Sequence, residues 1–402
     1  MIELNEAKDC CGCGVCVNSC PKKCIKLEED KEGFLYPHIY LDECVNCNLC
    51  EKSCPILNHI NRKENAIQSA VIVQNKNHEV IQRSTSGGAF TVIAEYVINR
   101  EGVVFGVAMQ DDYFVRHIAV QNKDELWKFQ NSKYVQSFVG NAYSQAKDFL
   151  DSGRLVCFSG TPCQIEGLRC YLGEEYKNLI LVDVVCRAVP SPGVWKKYIM
   201  MEIKKYGKII SVRFRDKTLG YQYSTMEIKN EQGRVYREGI ESQPWLRMFF
   251  SGMIIRPSCA ECKFRSRYRY SDFTIWDCFN VSSFDKKFDE KIGTTRMLIH
   301  TEKGKEIFKY ISQNFIYKVI DAELAVKDVR EMFYSPCMHT KRDMFFEEFS
   351  KCDMQELIQK YYPESLMIKI KKYLRLYLNK LGMDIIIRHL FKKDKDYINM
   401  RK

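Results

Sequence analysis

The stretch "CCGCGVCVNSCP", residues 10–21, decides how the N-terminal part of the chain folds. With Cys11 set aside, Cys10, Cys13, Cys16 and Cys20 follow C-x2-C-x2-C-x3-C, and Pro21 comes next. "CVNCNLCEKSCP", residues 44–55, repeats the pattern with Cys44, Cys47, Cys50, Cys54 and Pro55. Three closely spaced cysteines wrap one four-iron cluster from a tight loop, and the fourth, before proline, ligates the other cluster. The spacing therefore assigns Cys10, Cys13, Cys16 and Cys54 to one [4Fe-4S] cluster. It assigns Cys44, Cys47, Cys50 and Cys20 to a second. Zinc sites are built from two C-x2-C pairs, often with histidine, and fit two triplets with distant fourth ligands poorly. Cys11 and Cys24 fall outside the pattern and read as small buried side chains. Between the runs, "CIKLEEDKEGFLYPHIYLDEC" (24–44) reads as short strands around a turn at Gly33, as in a compact two-cluster ferredoxin.

The whole chain has 402 residues, of which 46% are hydrophobic, enough for two or three domains with real cores. Its 19 cysteines would suit a secreted protein. Yet "MIELNEAKDC" has neither a basic n-region nor an apolar h-region, and no apolar run is long enough to span a bilayer. The reading is a cytoplasmic protein, where clustered cysteines mean metal or catalysis. The net charge of +11 raises nucleic acid as a partner. The basic residues concentrate near the C-terminus and the aromatics form no stacking motif, so nucleic acid is set aside.

After a polar linker, "NHINRKENAIQ" (58–68), strands and helices alternate. "SAVIVQ", "GVVFGVAM", "FVRHIAV", "RLVCFSG" and "NLILVDVV" read as strands. "SGGAFTVIAEYVINR", "NAYSQAKDFLDSG", "TPCQIEGLRCYLG" and "SPGVWKKYIMMEIKKYG" read as helices. This is the pattern of α/β layers. "KIISVRFRD", "QYSTMEIKN" and "GRVYREG", between 208 and 239, read as an antiparallel patch. "STSGGAF" (84–90) is either a phosphate-binding helix start or an ordinary glycine-rich one. In "FSGTPCQ" (158–164) Cys163 falls in a first helical turn, where a thiol pKa is lowered. Cys186 follows the next strand, and "RPSCAECKF" adds Cys259 and Cys262. Cys163, Cys186, Cys259 and Cys262 are candidates for a third four-thiolate site. The alternative is a zinc knuckle with two buried cysteines. Cys157, Cys170, Cys278, Cys337 and Cys352 lack ligand spacing and read as structural.

These stretches, with "NSKYVQS", "VPSPGVW", "FRDK" and "SDFTIWD", resemble the coenzyme F-420 hydrogenase/dehydrogenase beta-subunit family. The resemblance runs from residue 1 to about 310. It implies a fold of mixed α+β and α/β class: a two-cluster ferredoxin domain (1–60), family N- and C-terminal α/β flavoprotein domains (66–150 and 151–310) and a helical basic tail (311–402). It implies FAD and a third [4Fe-4S] cluster on Cys163, Cys186, Cys259 and Cys262. Carried over residue by residue, the flavin loops comprise Ser86, Gly87, Gly88, Ser132, Lys133, Tyr134, Gln136, Gly160, Thr161 and Gln164. Lys133 would meet phosphate or the flavin N1/C2=O region; its bland reading is a surface lysine. Two positions depart from the family. Arg187-Ala188 stands where relatives carry His-Gly, and "WDCFN" (276–280) where they carry a "GDFWG"-like run, with Asp277 kept.

The expected function is an iron–sulfur flavoprotein oxidoreductase passing electrons between clusters, FAD and an organic acceptor, with a ferredoxin or another redox protein as partner. The resemblance also implies a link, seen in some chains of this type, to surface-polysaccharide pathways. The alternatives are an electron-transfer subunit feeding a partner enzyme and a cluster-bearing scaffold without flavin. In the tail, "ESLMIKIKKYLRLYLNKLGMDIIIRHLFKKDKD" has helical apolar spacing and many basic residues. Its first expectation is a packed helix with a solvated basic face; peripheral contact with an anionic membrane is the other.

Overall fold

The computed structural model describes residues 2, 6–59, 68–288 and 291–381. Most of the expected linker and the end of the tail, 382–402, lie outside the described residues. In the N-terminal module β1 (Ile25–Glu29) and β2 (Leu35–Ile39) form an antiparallel hairpin whose turn contains Gly33 at φ +77°. The one-turn helices Val15–Asn18 and Leu49–Lys52 lie within the two cysteine runs and carry Cys16 and Cys50. Each opens on a left-handed residue, Gly14 in one and Asn48 in the other, so the two halves repeat in backbone as they do in sequence.

The remaining strands are β3 (Ser69–Asn75), β4 (Val103–Met109), β5 (Val115–Val120), β6 (Val156–Gly160), β7 (Leu179–Val184), β8 (Ile209–Asp216), β9 (Thr225–Asn230), β10 (Val235–Gly239), β11 (Phe273–Asp277), β12 (Thr295–Ile299) and β13 (Phe315–Ile320). β8, β9 and β10 form the expected antiparallel patch, in the order β10-β9-β8. The large sheet runs β13-β3-β12-β11-β7-β6-β4-β5. β4, β6, β7 and β11 are parallel neighbours at its centre; the outer pairings are antiparallel. Strands from both sides of the 150/151 boundary share this sheet, and so does β13, beyond residue 310.

Helices cover both faces, which is why the central strands are near-continuous apolar runs. Val92, Ile93 and Val97 of helix Ala89–Ile98 and Ile307 and Ile311 of helix Glu302–Ile311 pack on one face. Ala146, Leu150, Ile165 and Leu168, from helices Ala142–Asp151 and Pro162–Leu172, fill the other with Phe105 and Phe158. Cys11, Cys13 and Val15 join that second core, so the ferredoxin module is packed onto the large domain.

Two buried cations fasten it there. Arg256 is fully buried, and its Nε donates to the Cys10 carbonyl (2.8 Å), Nη2 to the Leu35 carbonyl (3.1 Å) and Nη1 to Gln136 Oε1 (3.0 Å). Its guanidinium lies 4.1 Å from the Tyr36 ring centre. Arg342 grips the Glu32 carboxylate with two bonds, 2.6 and 2.5 Å long. Beside Glu32 the hairpin turn meets the start of helix Pro192–Tyr206. Ser191 Oγ donates to the Glu32 carbonyl, and Gly193 N–H to that of Gly33. A Cβ on Gly33 would stand 2.6 Å from Gly193 Cα, so only glycine fits.

Removing one partner of a buried pair leaves the other charge uncompensated, at a cost of about 3–5 kcal/mol. Glu32→Gln should destabilise the chain by about that amount, and Glu32→Gln combined with Arg342→Met by less. Urea midpoints of the three proteins check this; equal losses in both variants would show that pairing is not what the site contributes.

Candidate functional site

Three groups of side chains stand out. The first is in the ferredoxin module. Cys20, Cys44, Cys47 and Cys50 line one small cavity, with Cys24 as a fifth cysteine. Cys20 is the thiol shifted downward. Burial opposes the shift, but the Cys24 thiol and the N–H groups of Cys24, Lys22 and Lys23 outweigh it. The other half gathers around Cys16. Burial pushes its thiol up, and the neighbouring thiols of Cys10, Cys54 and Cys50 push it further. Such crowded, buried thiols ionise together only around a compensating cation. That is the donor chemistry an iron–sulfur cluster requires, and both expected quartets fit it.

The second group lies between the ferredoxin and the sheet. Cys163, Cys186, Cys259 and Cys262 line a cavity of about 80 Å³ together with Cys11. Cys163 sits in the first turn of helix Pro162–Leu172, as expected, with Thr161 and Gln164 forming a capping box. Its pKa was expected to fall there and instead rises. Contact with the Cys11 thiol and burial outweigh the helix terminus. Burial pushes Cys259 up to about 12. Arg265 and Arg269 also line this cavity and bring positive charge to it. Among the described residues no three His, Cys, Asp or Glu side chains are drawn around a single ion; these thiols surround a space instead.

The third group is a cavity of about 360 Å³ at the carboxyl ends of β6, β7 and β11, within the range of small-molecule sites, about 300–1,000 Å³. Parallel strand ends are where open α/β sheets leave a crevice. Ser86, Gly88, Ser132, Lys133, Tyr134, Gly160, Thr161 and Gln164 all line it. Helix Ala89–Ile98 opens onto it through Gly88, at φ +74°. The loops are tied together: Ser132 N–H donates to Thr85 Oγ1 (2.8 Å) and Gly87 N–H to Thr295 Oγ1 (2.9 Å).

Two of the expected flavin residues lie elsewhere. Gly87 packs behind the loop, where a Cβ would meet the Val73 carbonyl at 2.3 Å. Gln136 turns to the ferredoxin interface, bonded to Arg256 and the Cys11 carbonyl. Lys133 is no surface lysine. Its Nζ donates to the Lys128 and Gln130 carbonyls at 2.7 and 2.8 Å, and burial lowers its pKa to about 7. The departing residues Arg187, Ala188, Trp276 and Asp277 all line the cavity. Asp277 pairs with Arg215 at 3.1 Å, and Arg215 also donates to Tyr134 Oη. Gln130 Oε1 and Trp276 Nε1 are buried in the wall with no hydrogen-bond partner among the described residues, an acceptor and a donor for a polar ring ligand to meet.

Sequence reasoning passed over Cys11 and Cys24. They are buried, as expected, but each lies inside a cysteine cavity. Their position one and four residues from an expected ligand was the available signal.

Comparison with known proteins agrees with the resemblance. Residues 9–57 match the family described as 4Fe-4S dicluster domain. Residues 153–324 match the family that comprises the C terminus of the coenzyme F420 hydrogenase/dehydrogenase beta subunit. No curated protein matches the chain. A solved chain of the F420-reducing [NiFe] hydrogenase complex from Methanosarcina barkeri, in a xenon derivative, is similar at 13% identity. The match covers 75% of this chain and 94% of that one, with a TM-score of 0.45.

The lowered value of Lys133 has a pH consequence. Between about 7 and its ordinary 10.5 the unfolded chain binds the extra proton, so stability rises with pH. Against Lys133→Met, the wild-type chain should gain on the order of 2 kcal/mol from pH 7 to pH 9. Denaturation midpoints of both proteins at the two pH values test this; parallel changes would show that Lys133 stays charged throughout.

Proposed function

A chain that joins a 4Fe-4S dicluster domain to the C-terminal domain of the coenzyme F420 hydrogenase/dehydrogenase beta-subunit family is, we propose, an iron–sulfur flavoprotein oxidoreductase. Its ferredoxin clusters connect through a third [4Fe-4S] cluster to FAD, which faces an organic acceptor. The observation that carries this reading is a shared wall. Thr161, Cys186, Ala188 and Val189 line both the four-cysteine cavity and the larger cavity beside it. The other side of the four-cysteine cavity is closed by Cys11 and Ile56 of the ferredoxin module.

When bound, FAD exchanges one-electron traffic with the clusters for two-electron transfer to the acceptor. The chain's own residues orient and insulate it. The N-terminus of helix Ala89–Ile98, which opens onto the cavity at Gly88, offers N–H groups to phosphate. Lys133 supplies a buried amine that takes a proton readily near neutral pH. The Arg215–Asp277–Tyr134 network fixes the opposite wall. At the far end Cys47 is exposed, beside exposed Leu41, Val45 and Leu49, which makes the second ferredoxin cluster the docking point for a redox partner. Trp276 in the cavity wall favours a second reading, in which acceptor space is closed and the chain is an electron-transfer subunit feeding a partner enzyme.

The tail is proposed to rest on an anionic membrane. In helix Leu366–Lys380 two basic residues, Lys372 and Arg375, turn inward where a solvated basic face was expected, while Lys369 stays exposed. Lys372 bonds Glu238 and Arg375 bonds Glu241. Leu366, Met367, Ile370, Tyr373, Leu374 and Tyr377 form the outer face, each at least 39% exposed. The helix contains no acidic residue, as suits an interfacial helix on anionic lipid.

Anaerobically purified chain should carry about twelve iron atoms and one FAD, and Cys186→Ala about eight iron atoms. Eight iron atoms without flavin in the wild type would leave the electron-carrier reading. The full chain should sediment with phosphatidylserine vesicles at low salt, and the Ile370→Asp/Leu374→Asp variant should lose at least tenfold in binding. Unchanged sedimentation of the variant would remove this helix as the contact.

A further inference from the structure

The ferredoxin module contains two cysteines more than its clusters need, and neither is placed at random. Cys24 Sγ lies 3.3 Å from Cys20 Sγ, inside the cavity that Cys20 shares with Cys44, Cys47 and Cys50. Cys11 lines the cavity of Cys163, Cys186, Cys259 and Cys262. Both are buried, at 2% and 8% exposure, so neither thiol competes with water for a partner. A neutral thiol has one S–H to donate, and a cluster-bound thiolate can only accept. Once Cys20 is bonded to iron, the bond across the 3.3 Å gap therefore runs from Cys24 to Cys20. Cys11 contacts the thiols of both Cys13 and Cys163, and once these two are bonded to iron Cys11 is the donor among the three.

We propose that Cys24 and Cys11 are positioning residues of the iron–sulfur chain: thiol donors to a ligand sulfur, holding the second ferredoxin cluster and the third cluster at a higher reduction potential than the same ligands alone would give. Hydrogen bonds to cluster sulfurs stabilise the more negative, reduced state. Cys24 belongs to the first cluster met by an electron arriving at exposed Cys47, and Cys11 to the last before the large cavity. Both ends of the relay are thereby made easier to reduce. The Cys11 half rests on the third cluster proposed above; the Cys24 half rests on the dicluster domain alone.

The alternative role for each is as a ligand in place of its neighbour, and the variants separate the two. In EPR-monitored redox titrations of the full chain, Cys24→Ala should lower the midpoint of one ferredoxin cluster, with iron content unchanged. Cys24→Ser, which keeps a donor of shorter reach, should lower it less. Cys11→Ala should shift the third cluster in the same direction and leave the cluster of Cys20, Cys44, Cys47 and Cys50 in place. Unchanged midpoints would overturn the proposal, as would the loss of about four iron atoms from Cys24→Ala with Cys20→Ala retaining them. A wild-type chain with only the two ferredoxin clusters would remove the third-cluster reading and the Cys11 half together, and leave the Cys24 titration decisive.

Discussion

The guanidinium of Arg256 is the constraint on which the arrangement depends. A fully buried cation survives only where its hydrogen bonds are met and negative charge is near. Here each partner comes from a different place: the carbonyl of Cys10 before the first cluster, the carbonyl of Leu35 in the hairpin, and the amide of Gln136 from the large domain. The same cation lies in the field of Cys10, Cys11 and Cys259. Docking and electrostatics are thus joined in one side chain. The ferredoxin module is held at the orientation that brings Cys11 into the four-cysteine cavity.

From that fixed point the rest follows the geometry of the sheet. Three parallel strands, β6, β7 and β11, end together, and their ends supply Gly160, Val184 and Asp277 to one crevice. The loop after β7 carries Cys186 to the crevice's inner wall, where it faces the ferredoxin. The long excursion between β7 and β11 brings Arg256, Cys259 and Cys262 back to that wall. Parallel pairing requires such crossovers; here the crossover delivers the module's anchor and three of the four cysteines of the third set.

What the sequence disclosed depended on distance along the chain. The eight ferredoxin cysteines were legible because three ligands of each cluster lie within seven residues. The third set was legible only as a group of candidates, since Cys163 and Cys259 meet through folding alone. Gln136 and Gly87 were misplaced for a related reason. A loop motif says which backbone approaches a cavity, but not which side chain turns away to a neighbouring module. The burial of Lys133 was hidden because a lysine beside Ser132 and Tyr134 carries no mark of the two carbonyls that receive it. In the tail, helical spacing showed an apolar stripe and a basic one. Only the acidic partners Glu238 and Glu241, 134 residues away, turned Lys372 and Arg375 inward.

The pair between Glu32 and Arg342 spans 310 residues of chain. During synthesis at about 5–20 residues per second, the ferredoxin module is outside the ribosome for roughly 15–60 seconds before its clamp exists. Through that interval its cysteines are open to whatever delivers iron and sulfide. Once Arg342 arrives, the hairpin turn is seated and the cluster nearest the large domain is enclosed. The order of synthesis thereby leaves the module's cysteines open first and closes its seat on the large domain last.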